Sequence, residues 1–252
     1  MDLGISGRRA AVAAASDGLG LASARALGRD GVQLAICGRD VERLEAAVSS
    51  LRADGIDVTG LRADVSTTDG AASFVEEAAA ALGGPLDIVV PNCGGPPNGG
   101  FGSTGLDDHR AALEANLLST VAMCQAAVPA MRERGWGRIV AITSISARQP
   151  IDGLILSNTA RAGLTGFLKT LALEAAPDGV TVNSVQPGSH ATARLRQRLG
   201  DDLTAAAAAV PVKVLGRPDD FGAVVAFLCS DQARFITGTA VPVDGGAHRA
   251  LQ

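Results

Sequence analysis

The sequence predicts an α/β fold in which a mostly parallel seven-stranded sheet is covered by helices on both faces. Short apolar runs alternate along the chain with stretches of helical periodicity. Runs such as residues 139–142 are apolar throughout, which is typical of strands that are buried on both faces. No linker-like stretch divides the 252 residues, so we expect one doubly wound domain over residues 1–252.

Each predicted strand is a short apolar run that ends at turn-forming residues. The first run, residues 9–15, is followed by Ser-Asp-Gly, and the fourth, residues 86–91, leads into a loop rich in glycine and proline. The same pattern predicts strands at residues 32–37, 58–63, 138–143, 180–185 and 240–243. The intervals between these strands are long enough for the crossover connections that a parallel sheet needs.

The segments between the strands carry apolar residues at the spacing of amphipathic helices. Residues 41–52 place four apolar side chains on one face and charged residues between them. Comparable patterns predict helices at residues 19–28, 71–82, 107–134, 157–176 and 218–230. The alanine-rich segment 205–209 is expected to form a further short helix.

Composition excludes several classes of function. With 22 Lys+Arg and 26 Asp+Glu the net charge is −4, which argues against a nucleic-acid partner or a basic membrane-binding surface. Neither a signal peptide nor a membrane-spanning run is predicted. The spacing of Cys37, Cys93, Cys124 and Cys229 fits no disulfide or metal pattern, so we expect reduced thiols in a cytoplasmic protein. The chain contains no Tyr, which rules out a tyrosine acid or base.

A turn that contains two glycines joins the first predicted strand to the first helix. Residues 13–20 read Ala-Ala-Ala-Ser-Asp-Gly-Leu-Gly. A turn at this position lets backbone N–H groups and the helix dipole meet a pyrophosphate. Gly18 and Gly20 could instead serve only the packing of the helix, but the order of strand, turn and helix favours dinucleotide binding.

Further motifs in the same order resemble the short-chain dehydrogenase/reductase family over nearly the whole chain. The glycine-rich loop of that family falls on residues 13–20, its Asn-Ala-Gly motif on residues 92–94 and its Pro-Gly-x-x-x-Thr motif on residues 187–192. The 3-oxoacyl-[acyl-carrier-protein] reductases are the most similar type. The resemblance implies a Rossmann-type fold, an NAD(P)-dependent oxidoreductase, a small-molecule carbonyl or alcohol substrate and a segment of about residues 190–216 that lines the substrate.

The resemblance also implies a cofactor site that is built from the loops after several strands. In the family, the residue that corresponds to Asp64 hydrogen-bonds the adenine. The residues that the family pattern places around the cofactor are Ser16, Asp17, Gly18, Leu19, Gly20, Arg39, Asp64, Val65, Asn92, Gly94, Arg161, Pro187, Gly188, His190 and Thr192.

The catalytic positions of the family are only partly kept. Its Asn and Ser fall on Asn116 and Ser144, but its Tyr and Lys fall on Ser157 and Arg161. In the family, Tyr transfers the proton, and Lys lowers the pKa of Tyr and holds the ribose. A serine hydroxyl is a poor acid at pH 7 and arginine stays protonated, so we expect an atypical proton donor. His190 is one candidate donor, and the alternative is a solvent-facing loop histidine.

The residues after the second strand bear on the choice of nucleotide. Gly38 and Arg39 favour the 2′-phosphate of NADP(H) over the free ribose hydroxyls of NAD(H). Asp17 opposes this preference, because two negative charges ~6 Å apart repel by about 1–3 kcal/mol at an effective dielectric of 20–80. Because Gly38 and Arg39 favour the 2′-phosphate, we nevertheless expect NADP(H) to be preferred over NAD(H).

Two functions remain open at this point. One is an NADP(H)-dependent oxidoreductase that interconverts a carbonyl and an alcohol. The other is a redox-inactive homologue that acts as a non-redox enzyme or as a ligand-binding or regulatory subunit. This alternative is favoured by Ala14, which stands where the family has glycine, and by Ser157 and Arg161 at the Tyr and Lys positions. In the family, the helices that correspond to residues 107–134 and 157–176 pack against their copies, so we expect a homotetramer. Small residues on the second of these helices allow a close approach: Ala160, Ala162, Gly163 and Gly166.

Overall fold

A parallel sheet of seven strands forms the centre of the computed structural model, which describes residues 2–250 apart from the side chain of residue 198. The strands are β1 (Arg9–Val12), β2 (Gln33–Gly38), β3 (Val58–Arg62), β4 (Ile88–Val90), β5 (Gly137–Ile142), β6 (Val180–Pro187) and β7 (Ala240–Val243). Their order is β3-β2-β1-β4-β5-β6-β7, and each neighbouring pair is parallel. The predicted fold class is therefore confirmed.

The chain reverses its direction of progress across the sheet between β1 and β4. Successive strands run outward from β1 to β3 on one side and outward from β4 to β7 on the other. The loops after β1 and β4 therefore leave the sheet in opposite directions and open a crevice at the carboxyl ends of these strands. Doubly wound sheets bind their ligands in such a crevice.

Helices cover both faces of the sheet. They are α1 (Gly18–Arg29), α2 (Val41–Ala53), α3 (Thr68–Ala81), α4 (Leu106–Leu113), α5 (Ser119–Glu133), α6 (Ile155–Ala175), α7 (Ala193–Leu199), α8 (Thr204–Ala209) and α9 (Pro218–Cys229). The predicted helix 107–134 is α4 and α5 joined by a π-helical turn, Glu114–Leu118. Asp17, Asp40 and Thr67 cap the first three helices with their side chains, as sequence rules for helix starts predict.

Alternating strand residues divide the interior into two cores. Val12 of β1 packs on one face with Leu27 of α1 and Phe221 of α9, all fully buried. Ala11 packs on the other face with Phe74 of α3 and other apolar residues of α5 and α6. Both faces of the central strands are buried, because side chains alternate along each strand and a helix layer covers each side.

The continuous helical stretch Leu106–Glu133 is long and apolar enough to cross a membrane by length and composition alone, because one 18-residue window in it has a mean hydropathy of 1.3. A core helix of a globular protein passes the same test. Here Met123, Cys124 and Met131 are buried in the second core, where α5 packs against α3. The apolar character of this stretch is thus explained by its place in the fold.

Main-chain contact between α1 and α9 depends on one glycine. A Cβ added at Gly222 would lie 2.3 Å from the carbonyl oxygen of Ala22, which is a clash with backbone that cannot move aside. The absence of a side chain at Gly222 therefore sets the distance between the two helices that cover β1.

We expect Gly222→Ala to lower the free energy of unfolding by about 1–3 kcal/mol, because the added methyl group overlaps α1. This loss occurs although alanine has a helix propensity about 1 kcal/mol better than that of glycine. Urea denaturation measures it, with Ala223→Ser at the neighbouring exposed position as the control. A Gly222→Ala protein as stable as the wild type would contradict this account of the packing.

Candidate cofactor and catalytic site

A cavity of about 450 Å³ lies at the carboxyl ends of the central strands. Its volume is typical of a small-molecule site. The loops after β1, β4, β5 and β6 form its walls, together with the start of α6 and part of α7. The sequence-predicted residues that line it are Asp17, Gly18, Leu19, Gly20, Asn92, Gly94, Ser144, Ser157, Arg161, Pro187, Gly188, His190 and Thr192.

Four of the predicted cofactor residues lie outside the wall of this cavity. Ser16 lies against the end of β2: a Cβ added at Gly38 would be 3.0 Å from the Cβ of Ser16. Arg39 Nη1 is 3.9 Å from Asp64 Oδ2, and both side chains are exposed. Val65 is buried in the core. The structure thus brings Arg39 and Asp64 together at the ends of β2 and β3, beside the β1–α1 loop.

Hydrogen bonds hold Asp64 in its ionised form. Its Oδ1 atom accepts a 2.6 Å bond from the Ser66 hydroxyl and a 3.0 Å bond from the Ser66 N–H. These bonds, and the cation of Arg39, lower the pKa of Asp64. The Arg39 guanidinium is consequently positioned next to a carboxylate but remains open to solvent.

The β1–α1 loop keeps a glycine-like conformation although Ala14 stands where the family has glycine. Ala14 has φ 46°, in the left-handed region, which costs an alanine roughly 1–2 kcal/mol. Its N–H donates to Cys37 Sγ at 3.4 Å, and its carbonyl accepts from Asn92 Nδ2 at 3.2 Å. A Cβ added at Gly20 would lie 2.6 Å from that same carbonyl. Neighbouring strands therefore hold the loop in the conformation that the alanine alone disfavours.

The N-terminus of α1 already carries an acidic cap. Asp17 Oδ1 accepts a 2.6 Å hydrogen bond from the N–H of Gly18. A carboxylate here occupies part of the positive end of the helix dipole, which in dinucleotide-binding folds meets a phosphate. The charge that would oppose a phosphate, expected from the sequence, is thus at the start of α1.

Hydrogen bonds connect three serines near the start of α6. Ser144 begins the turn after β5, and its Oγ accepts a 3.0 Å bond from the N–H of Ser146. The Ser146 hydroxyl is in turn 3.2 Å from the hydroxyl of Ser157 on α6. The hydroxyl at the tyrosine position therefore bonds to Ser146. Sequence reasoning missed Ser146, whose only signal is its place two residues after Ser144.

Arg161 follows Ser157 by one turn of α6 and is buried. Its Nη1 atom donates to the carbonyl of Ile142 at 3.2 Å. Burial lowers the pKa of Arg161 to about 10. The guanidinium is still charged at neutral pH, so it contributes a fixed positive charge and no proton.

His190 is buried, so the interpretation as a solvent-facing loop histidine is wrong. Its ring packs edge-on against Phe221 with 5.2 Å between ring centroids. Burial lowers the pKa of His190, which makes the ring neutral at pH 7. Nδ1 lies 3.2 Å from the carbonyl of Gly188, so the neutral ring carries its proton there and leaves Nε2 as an acceptor. A ring in this state is suited to accepting a proton rather than to donating one.

Asn116 lies in the π-helical turn rather than in the cavity wall. Its side chain is buried, and within residues 2–250 neither Oδ1 nor Nδ2 has a hydrogen-bond partner. Unpaired buried amides are costly, and π-helical turns are frequent at functional sites. Asn116 therefore stays a predicted site residue, marked by an unpaired buried amide in a π-helical turn.

Sequence similarity extends over almost the entire chain. A family model described as Enoyl-(Acyl carrier protein) reductase matches residues 13–248. Dehydrogenase/reductase SDR family member 4 of Oryctolagus cuniculus is 35% identical over 246 residues, which cover 96% of this chain and 94% of that protein. Acetoacetyl-CoA reductase of Cupriavidus necator is 33% identical over 242 residues, which cover 96% and 98% of the two chains.

Solved structures give the same result. The L-sorbose reductase of Gluconobacter frateurii, complexed with NADPH and L-sorbose, superposes with a TM-score of 0.92 at 32% identity and full coverage of both chains. An actinorhodin polyketide ketoreductase variant with NADPH superposes with a TM-score of 0.90 at 30% identity, covering 96% of this chain and 98% of the other. The chain therefore belongs to the short-chain dehydrogenase/reductase family.

Proposed function

We propose that this protein is an NADP(H)-dependent oxidoreductase that interconverts a carbonyl and an alcohol group of a small molecule, with an atypical proton donor. The observation that carries the proposal is that one cavity joins the β1–α1 turn, Ser144 and the 187–192 segment. The similar reductases whose structures hold NADPH support it. The free cysteines of the described chain suit a reducing compartment, so the proposal includes a cytoplasmic location.

The residues of the cavity fit a dinucleotide. Backbone approach is open at Gly94, where nothing lies within 4 Å of an added Cβ, and at Gly18, where only Thr192 lies that close. The first turn of α1 faces the same space, and the neighbouring Arg39 offers a cation for a 2′-phosphate. A bound nicotinamide would supply or accept the hydride.

The chain's own groups would bind and polarise the carbonyl. Ser144, whose Oγ accepts from the Ser146 N–H and keeps its own proton, would donate a hydrogen bond to the substrate oxygen. The positive charge of the buried Arg161 would favour negative charge that develops on this oxygen. Proton transfer through Ser157 and Ser146 is expected to be slow, because a serine hydroxyl is a poor acid at pH 7.

One observation favours the second candidate, a redox-inactive homologue that binds a ligand. Ser157 is bonded to Ser146, and Arg161 is bonded to the backbone of Ile142, so neither replaces the acid of the family's Tyr–Lys pair. Under this alternative the protein binds NADPH but reduces no activated ketone.

Arg39→Ala tests the choice of nucleotide. The wild type should bind NADP(H) more tightly than NAD(H), and the substitution should weaken NADP(H) binding by about tenfold while NAD(H) binding stays nearly unchanged. Isothermal titration of both cofactors measures the difference. Arg43→Ala is the matched control, because Arg43 is equally exposed and pairs with Asp40. Equal affinities for the two cofactors in the wild type would refute the preference.

Restoring the family's acid tests the proton path. Ser157→Tyr combined with Arg161→Lys should raise the NADPH-dependent reduction of an activated ketone by about tenfold, at the low end of general-acid effects. Both changes are required, because tyrosine without lysine keeps a pKa near ~10. Single-turnover kinetics measure the gain.

His190→Ala in the otherwise unchanged protein is the control for this experiment. If it abolishes an existing activity, His190 or a water that it holds is the proton source, and the argument for restoration fails. If both proteins bind NADPH and neither reduces a ketone, the ligand-binding alternative is supported instead.

We expect a homotetramer that uses the outer face of α6. Ala162, Gly163 and Gly166 are exposed on this helix, whereas Ala160 points into the protein. Leu173 on the same helix is 67% exposed and would be covered by a partner helix. Light scattering should give four times the chain mass, and Gly166→Arg should reduce it. A stable monomer at micromolar concentration would contradict the expectation.

A further inference from the structure

The side chain of Arg194 lies at the cavity without any partner of opposite charge. It comes from α7 and reaches the loop after β4, where a Cβ added at Gly95 would be 2.6 Å from its Nη2 and 3.0 Å from its Cζ. Arg194 lines the cavity. Within residues 2–250 it makes no ion pair and no hydrogen bond. The predicted substrate-lining segment, about residues 190–216, contains Arg194, but sequence reasoning did not single this residue out.

A second guanidinium lines the same cavity. Arg161 is buried, and one of its N–H groups donates a hydrogen bond to the carbonyl of Ile142. The charge of Arg194 contributes to the lowered pKa of Arg161, so the two cations are close enough to repel. Asp17 is the one carboxylate among the described lining residues, and it caps α1. The two arginines therefore give the remainder of the cavity a positive charge that an anion would balance.

We propose that Arg194 and Arg161 bind an anionic group of the substrate, so that the protein selects carbonyl compounds that carry a carboxylate or a phosphate. Guanidinium groups recognise both anions through paired, charge-assisted hydrogen bonds. Arg161 would neutralise charge from inside the cavity, and Arg194 would close over the anion from α7. This inference names a substrate class for the proposed function and rests on it.

The diphosphate of a dinucleotide offers the same chemistry, because it too is an anion. A Cβ added at Gly18, in the β1–α1 turn, would lie 3.7 Å from Thr192 Cγ2, and Arg194 is two residues after Thr192. The experiment must therefore separate an anion on the substrate from the anion on the cofactor.

Calorimetric titration with benzoylformate and its uncharged methyl ester makes this separation. Both ligands are titrated into protein saturated with NADP⁺, which has no hydride to transfer to a ketone. The acid should bind at least about tenfold more tightly than the ester. Arg194→Gln should remove this preference. Arg196→Gln, two residues further along α7, should keep it, because Arg196 is exposed and does not line the cavity.

Three results would overturn the proposal. The first is equal affinity of the wild type for acid and ester, and the second is binding of neither. The third is an Arg194→Gln protein that binds NADP⁺ more weakly but keeps the preference for the acid, which would assign Arg194 to the diphosphate. The titrations are repeated without NADP⁺, so a failure to bind NADP⁺ counts against the proposed function and still leaves the anion preference measured.

Discussion

Burial of the parallel sheet on both faces is the constraint on which the rest of this structure depends. Parallel strands need a crossover for each connection, and here the crossovers contain helices that cover both faces of the sheet. Most interior strand positions are therefore apolar, and the polar side chains buried within β5 and β6 are exceptions: Arg138, Thr181, Asn183, Ser184 and Gln186. The polar groups of the cavity lie at the ends of the strands. Because the chain changes direction between β1 and β4, the loops part there and leave the cavity.

The same strands also hold the β1–α1 loop in its conformation. Ala14 takes a backbone conformation that alanine disfavours, and it does so because its N–H bonds to Cys37 on β2 and its carbonyl bonds to Asn92 after β4. Gly20 allows the start of α1 to pack onto that carbonyl. The loop is thus held by its neighbours, and the strain at one residue is compensated by contacts with two other segments.

Replacement of the family's Tyr–Lys pair changes what the site can do. A proton donor of long reach becomes a short hydroxyl bonded to Ser146, and a lysine becomes a buried arginine that stays charged. Together with Arg194, this arginine gives the cavity two positive charges, while the short hydroxyl of Ser157 offers only weak acid–base chemistry. Under the proposed function and the proposed anion site, this cavity is better suited to binding negative charge than to transferring a proton.

The sequence by itself determined which segments along the chain form strands and helices and that a turn follows β1. It also determined that Ser144, Ser157 and Arg161 belong to one site. Hydrophobic periodicity and motif spacing are local properties, so one segment suffices to read them. Tertiary structure alone decided the Ser146–Ser157 bond, the burial of His190 against Phe221, the π-helical turn around Asn116 and the approach of Arg194 to Gly95. Each of these depends on packing between segments distant in the chain, or on a local geometry that packing selects, and no sequence pattern encodes either.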